Sequence, residues 1–158
     1  MLCIIGGGVM DYEKNIFAHI FRVSNALQIY LDQQLKEDDL TAKQMFLMIV
    51  IGSFEEHQPT YKEAADVAGT SYQNIKLMAL KLKKAGYIDI LDDPIDKRAK
   101  RLVLSDKAKV YWLKRDMNDE LQMQELFKEF DKTDLKQFYE FIIKMEAGLD
   151  NLGGNASD

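Results

Sequence analysis

Apolar residues recur at helical spacing in the first part of the chain. From about Asp11 to Lys36 they share one broad face, which predicts a long amphipathic helix. They are Ile16, Phe17, Ile20, Leu27 and Leu31. After a charged break, Thr41 begins a second helix, because Gln44 three residues later completes a capping-box pattern. This second helix is apolar almost all round and ends near Gly52, so we expect it to be buried.

A pair of short helices follows, joined at a glycine. Thr60 and Glu63 form another capping-box pattern, and the helix that they begin stops at Gly69. Thr70 or Ser71 caps the next helix. We expect that helix to continue to Ala85 and to end at Gly86, which would take the left-handed conformation.

The spacing within these two helices matches a helix-turn-helix. Ala65 stands where that motif needs a small residue, Gly69 where it needs a turn, and Ile75 where it needs a buried apolar residue. Tyr87 to Leu91 then alternate between apolar and polar residues, which predicts a strand. After a charged turn, the returning strand lies over 101–104.

Two long helices complete the pattern. Ser105 caps the first, which extends to about Phe130, and Thr133 caps the second, which reaches about Asn151. The order of elements predicts a mainly α-helical fold with a small β-hairpin (α+β), in which a winged helix-turn-helix is flanked by N- and C-terminal helices. The expected boundaries are one domain over 11–152, a core over about 40–105, and flanking helices over about 11–36 and 106–152.

The chain ends carry little sign of structure. The first nine residues are apolar and glycine-rich, lack a basic region, and are too short for a signal peptide or a membrane span. We interpret 1–10 as an N-terminal extension or as non-native residues, and 153–158 as a disordered tail. Cys3 is the only cysteine and cannot form an internal disulfide, so a reducing, cytoplasmic location is expected.

Positive charge is concentrated in the helix-turn-helix and hairpin. Residues 60–101 hold nine Lys/Arg and six Asp/Glu, a net charge of +3. The rest of the chain therefore carries −8 of the total of −5. Enzymatic motifs are missing from the sequence: His19 and His57 are far apart, no zinc-ligand spacing occurs, and no glycine-rich phosphate loop follows a strand. We expect neither an enzyme nor a cofactor or metal site.

Two runs carry a resemblance to the MarR family of transcriptional regulators. They are K-L-K-K-A-G-Y-I over Lys81–Ile88 and D-K-R-A-K-R-L-V-L-S over Asp96–Ser105, and together with the element order the similarity covers roughly Tyr12 to Leu149. The resemblance implies a homodimer that binds pseudo-palindromic double-stranded DNA. It also implies that the protein often represses nearby genes and is released by a small ligand or an oxidant.

Angles of 100° per residue divide the helix over 71–85 into two faces. The inward cluster is Ile75, Ala79, Leu82 and Gly86. Near the helix N-terminus, Gln73 and Asn74 are the candidates for reading base edges, because an amide pairs two-fold with adenine. Ser71 and Tyr72 are candidates for phosphate or base contacts, and Lys76 for a phosphate contact.

Leu77 and Leu80 also face outward, where polar residues are more usual on a DNA-binding helix. Contact with thymine methyl groups is one explanation. Contact with another part of the protein is the other, and we favour it for Leu80.

The hairpin is expected to be a basic wing. Arg98 is the candidate for insertion into a narrow minor groove, where negative potential is concentrated. Lys97, Lys100 and Arg101 would contact phosphates. Asp96 would hold the tip in shape, by pairing with Arg98 or with a nearby backbone N–H, as the resemblance implies.

The flanking helices predict dimerisation. Leu135, Phe138, Ile142, Met145 and Leu149 form a heptad stripe, and Ile16, Phe17 and Ile20 form an apolar face near the N-terminus. A small core cannot cover all of these, so a second copy is expected to do so, although a bundle within one chain would also bury them.

Two functions therefore stand open. The first is a dimeric, sequence-specific DNA-binding regulator, a repressor of nearby genes that responds to a small organic effector. The second is a winged-helix protein-interaction module without specific DNA binding, which would use Leu77 and Leu80. A membrane partner is not expected.

Overall fold

The computed structural model describes residues 11–153, without the side chains of 116–118 and 153. The expected N-terminal extension with Cys3, and the tail beyond 153, lie outside the described residues. Helices and one antiparallel hairpin make up the described part, which confirms the mainly α fold with a small β-hairpin. In chain order the elements are α1 (Tyr12–Gln34), a 3₁₀ helix (Lys36–Asp38), α2 (Ala42–Gly52), α3 (Tyr61–Ala68), α4 (Tyr72–Lys84), β1 (Ile88–Asp92), β2 (Lys100–Leu104), α5 (Asp106–Leu126) and α6 (Lys132–Gly153).

Both predicted capping boxes are present. Thr41 Oγ1 accepts from the backbone N–H of Gln44 at 3.3 Å, and Gln44 Oε1 accepts from that of Thr41 at 2.8 Å. The Thr60 and Glu63 pair makes the same reciprocal contacts at the start of α3, at 3.2 and 2.7 Å. Each capping box thereby provides acceptors for two backbone N–H groups that have no partner within the helix. The starts of α2 and α3 therefore follow directly from local sequence.

The turn between α3 and α4 also follows the prediction. Gly69 has φ of 61°, in the left-handed region where a Cβ is unfavourable. Ser71, rather than Thr70, is the N-cap of α4, and its hydroxyl accepts from the N–H of Asn74 at 3.3 Å. Gly86, just past α4, has φ of 79°.

Three sequence expectations are wrong in detail. The helix α2 is not buried all round, since Phe46 and Ile49 are each 48% exposed. Only one face of α2 packs on the core, and apolar composition alone does not distinguish the two faces. Gly86 does not belong to the inward face of α4; it is exposed and lies beyond the end of the helix.

The junction between α5 and α6 corrects the third expectation. The helix α5 ends at Leu126, four residues earlier than expected, and the cap of α6 is Asp131, not Thr133. The Asp131 carboxylate accepts from the N–H groups of Thr133 at 2.7 Å and Asp134 at 2.8 Å. A carboxylate at a helix N-terminus also interacts favourably with the helix dipole, which a threonine hydroxyl cannot match. Gly153, expected in the tail, still belongs to α6.

Two compact units divide the chain, one up to Tyr111 and one from Trp112 onward. The first unit holds the core, in which the largest side chains are fully buried: Leu35, Leu47, Met48, Ile75, Leu82, Ile88 and Leu102. In the second unit, the rings of Phe127, Phe130 and Phe138 pack in sequence, with centroids 5.8 and 6.1 Å apart. The single domain expected from the sequence stays a prediction.

The hairpin is anchored to the segment that precedes α3. Ile88 pairs with Leu104 and Ile90 with Leu102, which places Leu102 in the core. The N–H of Leu102 donates to the carbonyl of Pro59 at 2.9 Å, and Thr60 forms an antiparallel bridge with Arg101. The wing therefore starts from a fixed position beside the helix-turn-helix.

Candidate nucleic-acid interface

The inward face of α4 is the one that the spacing predicts. Ile75, Ala79 and Leu82 are all 0% exposed. Burial of these three side chains fixes the rotation of the helix about its axis, because each removes apolar surface from water. The opposite face is therefore turned to solvent.

The side chains at the start of α4 differ in whether they already have a hydrogen-bond or ring partner. Gln73 is exposed, and its side chain makes no hydrogen bond within the described residues. Asn74 is exposed too, but its amide donates to Thr70 Oγ1 at 3.2 Å. Tyr72 lies edge-on to the ring of Tyr61, with centroids 5.6 Å apart. Of the two candidates for base reading, Gln73 is the one whose amide is entirely available.

Four lysines share the remaining exposed surface of α4 with Leu77 and Leu80. Within residues 11–153, no ion pair or hydrogen bond engages the side chains of the helix lysines. They are Lys76, Lys81, Lys83 and Lys84. Because no acid neutralises them, their positive potential extends into solvent.

The wing tip carries two more cations of this kind. Lys97 and Arg98 are exposed, and their side chains have no hydrogen-bond or ion-pair partner in the described part of the chain. Lys100 differs, because its ammonium pairs with Asp92 across the hairpin. At the tip, Arg98 and Lys97 are therefore available to bind an anion, whereas Lys100 would first have to leave the carboxylate of Asp92.

Asp96 shapes the backbone beside Arg98. Its Oδ1 accepts from the N–H of Arg98 at 2.9 Å, and its carbonyl accepts from the N–H of Ala99 at 2.9 Å. The contact runs to the backbone of Arg98 and leaves the guanidinium free. The contribution of Asp96 to the stability of the wing stays a prediction.

Asp93, which the sequence reasoning passed over, lies under the tip. Its side chain is buried, and Oδ1 accepts from the N–H groups of Ile95 and Asp96, both at 2.8 Å. These backbone donors, followed by the Arg101 side chain, lower the pKa of Asp93 below its ordinary value of 3.8. An aspartate before a proline is a turn signal, and that signal alone could have identified Asp93.

Arg101 is not the free phosphate contact that the sequence suggests. Its side chain is 26% exposed, and Nε donates to Asp93 Oδ2 at 2.5 Å. One terminal nitrogen donates to the carbonyl of Gln58 at 2.7 Å and to Glu63 Oε2 at 3.2 Å. Sequence could not reveal this, because Gln58 and Glu63 lie about forty positions away.

Glu63 joins the wing to the start of α3. Besides Arg101, its carboxylate accepts from the N–H of Thr60 and lies 2.9 Å from His57 Nε2. The backbone hydrogen bond from Thr60 is the main cause that lowers the pKa of Glu63 from 4.5 to about 2. The capping residue of α3 is therefore also part of the wing support.

Leu77 and Leu80 face outward, 60% and 49% exposed. Leu77 is among the residues that line a groove of about 680 Å³ between α1, α2 and α4. The other large apolar side chains that line it are Leu27, Leu31, Phe46, Leu47 and Met78. Lys43 and Lys81 line it too, so the groove combines apolar surface with positive charge.

The residues expected at a dimer interface are largely uncovered. On α1, Ile16 is 53% and Phe17 is 65% exposed, and Ile20 is half-buried. On α6 the exposed members of the heptad stripe are Leu135, Phe138, Met145 and Leu149, and Ile142 is half-buried. Each helix thus presents an apolar face that its own unit does not cover.

Other kinds of site receive no support from the described residues. No three His, Cys, Asp or Glu side chains in them are grouped as a metal ion would require. No helix among them has the length and apolar content that a membrane span needs.

Comparison with known proteins places this geometry in a structural context. No protein-family profile matches the chain, and no curated protein matches it. Solved structures do. A MarR protein from Peptoclostridium difficile superposes with a TM-score of 0.83 at 20% identity, over 99% of this chain and 97% of that chain.

Two further solved structures show the same similarity. The transcriptional regulator SlyA has a TM-score of 0.78 at 17% identity, over 90% of this chain and 99% of its own. Sco3205 from Streptomyces coelicolor, a MarR family regulator solved in complex with DNA, has a TM-score of 0.78 at 18% identity, over 90% of this chain and 94% of its own. The chain therefore has the same winged helix-turn-helix fold as these MarR-family structures, which is the fold that the sequence resemblance implied.

Proposed function

We propose that the chain is a dimeric, sequence-specific DNA-binding transcriptional regulator that represses nearby genes and responds to a small organic ligand. The observation that carries the proposal is the distribution of unpaired cations. They occupy the solvent face of α4 and the wing tip, whereas Lys100 and Arg101 beside them are paired with acids. A surface that keeps such cations free suits a polyanion.

The two elements divide the recognition of DNA. The N-terminal end of α4 enters the major groove, where Gln73 reads an adenine edge and the lysines contact phosphates. The wing reaches the adjacent minor groove with Arg98, whose guanidinium suits the narrow groove of A·T-rich DNA. The similarity to Sco3205, which was solved in complex with DNA, supports this arrangement.

Dimerisation follows from the exposed apolar faces. Uncovered apolar faces on both α1 and α6 are unusual for a soluble monomer. A second copy covers them by a two-fold operation and places two recognition helices about one DNA turn apart. The operator is therefore pseudo-palindromic.

The groove between α1, α2 and α4 supports a ligand response. Its volume of about 680 Å³ is within the range of small-molecule sites. Asn74 and Leu77 of α4 line it, so a ligand there contacts the same helix that contacts DNA. Two predictions from the sequence complete the proposal: repression, which the resemblance implies, and a cytoplasmic location, which the single cysteine favours.

A titration of the purified protein with the DNA upstream of its own gene tests the proposal. We expect the affinity to fall steeply as the salt concentration rises, with a slope of log affinity against log salt concentration of about −0.9 per phosphate contact. A scrambled duplex of equal length is the control for specificity. A reporter gene behind the same region tests repression, and activation of that reporter would contradict it.

A protein-interaction module is the alternative that one observation favours. Leu77 and Leu80 are exposed on the helix that would read DNA. If the titration shows no binding, or binding that salt does not change, the DNA proposal is wrong and the protein-interaction module is favoured. Replacing both leucines by glutamine then abolishes binding to the protein partner.

A further inference from the structure

Arg101 lies where three segments of the first unit meet. Its strand, β2, forms the second half of the wing, and the residue opposite it in β1 is Leu91. Its backbone bridges to Thr60, the N-cap of α3. The side chain therefore starts between the wing and the helix-turn-helix.

The guanidinium binds one acceptor from each neighbouring segment. These are Asp93 Oδ2 in the wing, the Gln58 carbonyl before α3, and Glu63 Oε2 in the first turn of α3. Two of the acceptors are carboxylates, which makes those hydrogen bonds charge-assisted. With its side chain only 26% exposed, Arg101 presents little of its charge to solvent.

Each acceptor is itself held by further contacts. Asp93 accepts hydrogen bonds from the N–H groups of Ile95 and Asp96, which begin the wing tip. Glu63 accepts a hydrogen bond from the N–H of Thr60 and contacts His57. A continuous set of hydrogen bonds thus runs from the wing tip to the start of the helix-turn-helix.

We propose that Arg101 is a positioning residue for DNA binding, which fixes the wing to the start of α3 and so presents Arg98 and Lys97 at a set place relative to α4. This inference rests on the proposed function. Arginine suits the task because its rigid planar fork serves several acceptors at once, whereas a lysine offers a single flexible ammonium. Arg101 acts through the wing and does not itself contact DNA.

The first test compares two replacements of Arg101 in the full-length protein. Arg101→Lys keeps the positive charge but loses the fork, and Arg101→Met loses both. We expect both variants to bind the upstream region about tenfold more weakly. If Arg101→Lys binds like the wild type, the charge alone matters and the positioning role is wrong. Lys109→Met removes an equal charge from an exposed α5 pair and should leave affinity unchanged.

A double-mutant cycle shows whether Arg101 acts through the wing tip. Arg98→Ala should cost much less affinity in the Arg101→Met background than in the wild type, because the misplaced wing no longer delivers Arg98. Equal losses in both backgrounds would overturn the proposal. If Arg101→Met folds poorly, Asp93→Asn takes its place in the cycle. That variant weakens the ion pair with Arg101 from the wing side and should reduce the effect of Arg98→Ala in the same way.

Hydrogen exchange without DNA separates this inference from the proposed function. In Arg101→Met, the amides of Ile95, Asp96 and Ala99 should exchange faster, while those of α4 stay protected. Unchanged exchange at the wing disproves the anchor, whatever the DNA titration shows. Faster exchange with undiminished DNA affinity disproves the positioning role. If the wild type does not bind DNA but wing exchange is faster in the variant, the proposed function and the positioning role are both wrong. Arg101 is then only a structural anchor of the wing.

Discussion

At the scale of single residues, neighbouring cations of the wing have different tasks. Arg98 and Arg101 are three positions apart, yet Arg98 is exposed with no partner among the described residues, while Arg101 donates to two carboxylates and a carbonyl. The difference comes from Asp93 and Glu63, which the fold brings to Arg101 and not to Arg98. Residue type therefore indicates a basic wing, but contacts decide which cation is available.

Arg98→Ala should weaken operator binding by about 1–3 kcal/mol and leave the fold intact. The side chain is exposed and has no partner in the described chain, so its removal leaves no buried group unsatisfied. Affinity is measured by titration and stability by thermal unfolding. Unchanged affinity would remove Arg98 from the interface. Lys136→Ala, an exposed lysine on α6, is the control for a lost surface charge.

Glu63 predicts a dependence of stability on acid pH. Its pKa is about 2 in the folded protein and 4.5 ordinarily, chiefly because the Thr60 N–H binds the ionised form. The stabilisation is therefore complete above pH of about 4.5 and is lost as pH falls from there towards about 2. The lowered pKa of Asp93 acts in the same direction.

Glu63→Gln tests this dependence while it keeps a side chain that can complete the capping box. The wild type should exceed the variant in free energy of unfolding above pH of about 5, and the difference should shrink below pH of about 4. Denaturant unfolding at several pH values measures it. A difference that stays constant with pH would show that the charge of Glu63 does not matter. Glu125→Gln, from an exposed pair on α5, should have little effect at any pH.

At the scale of elements, local capping explains where most helices begin. The two capping boxes can be predicted from the sequence because a cap acts within about four residues of the chain, whereas the choice of Ser71 over Thr70 as the cap of α4 needs the structure. The cap of α6 does not follow from the sequence, since Asp131 and Thr133 are both suitable residue types and only backbone geometry distinguishes them. The exposed side of α2 does not follow from it for a different reason: whether a residue of α2 is buried depends on what packs against the helix.

Two glycines of different conformation should respond oppositely to alanine. Gly69 has φ of 61°, so Gly69→Ala should destabilise the protein by about 1 kcal/mol although the space beside it is open. Gly148 lies inside α6, also with open space beside it, so Gly148→Ala should stabilise by up to about 1 kcal/mol. Thermal or denaturant unfolding measures both changes. The same sign for the two variants would contradict the conformational explanation.

At the scale of the whole molecule, the flanking helices raise the question of a second copy. Faces on α1 and α6 that include Phe17 at 65% and Leu149 at 58% exposure remain uncovered in the single chain. Water contact of such faces is unfavourable by about 25 cal/mol per Å², which a two-fold partner would remove. The sequence identified the same faces by their spacing, and dimerisation stays a prediction.

Leu149→Asp and Phe17→Asp should each shift the protein from dimer to monomer. A charge at the centre of an apolar interface loses its hydration without gaining a partner, which costs several kcal/mol. Light scattering at micromolar concentration measures the mass, and operator affinity should fall with it. Ala147→Asp adds the same single charge on the opposite side of α6, two residues from both Met145 and Leu149, and should stay dimeric. A monomeric wild type would contradict the prediction.

The sequence by itself determined the order of elements, the two capping boxes, the glycine turns and the basic hairpin, because each depends on residues close together in the chain. Tertiary structure alone decided that Arg101 and Asp93 belong to the wing support, that Gln73 is freer than Asn74, and that Phe46 and Ile49 face outward. These properties depend on neighbours that are distant in sequence. A local pattern specifies which groups a residue carries, and only the fold specifies which of those groups are already satisfied.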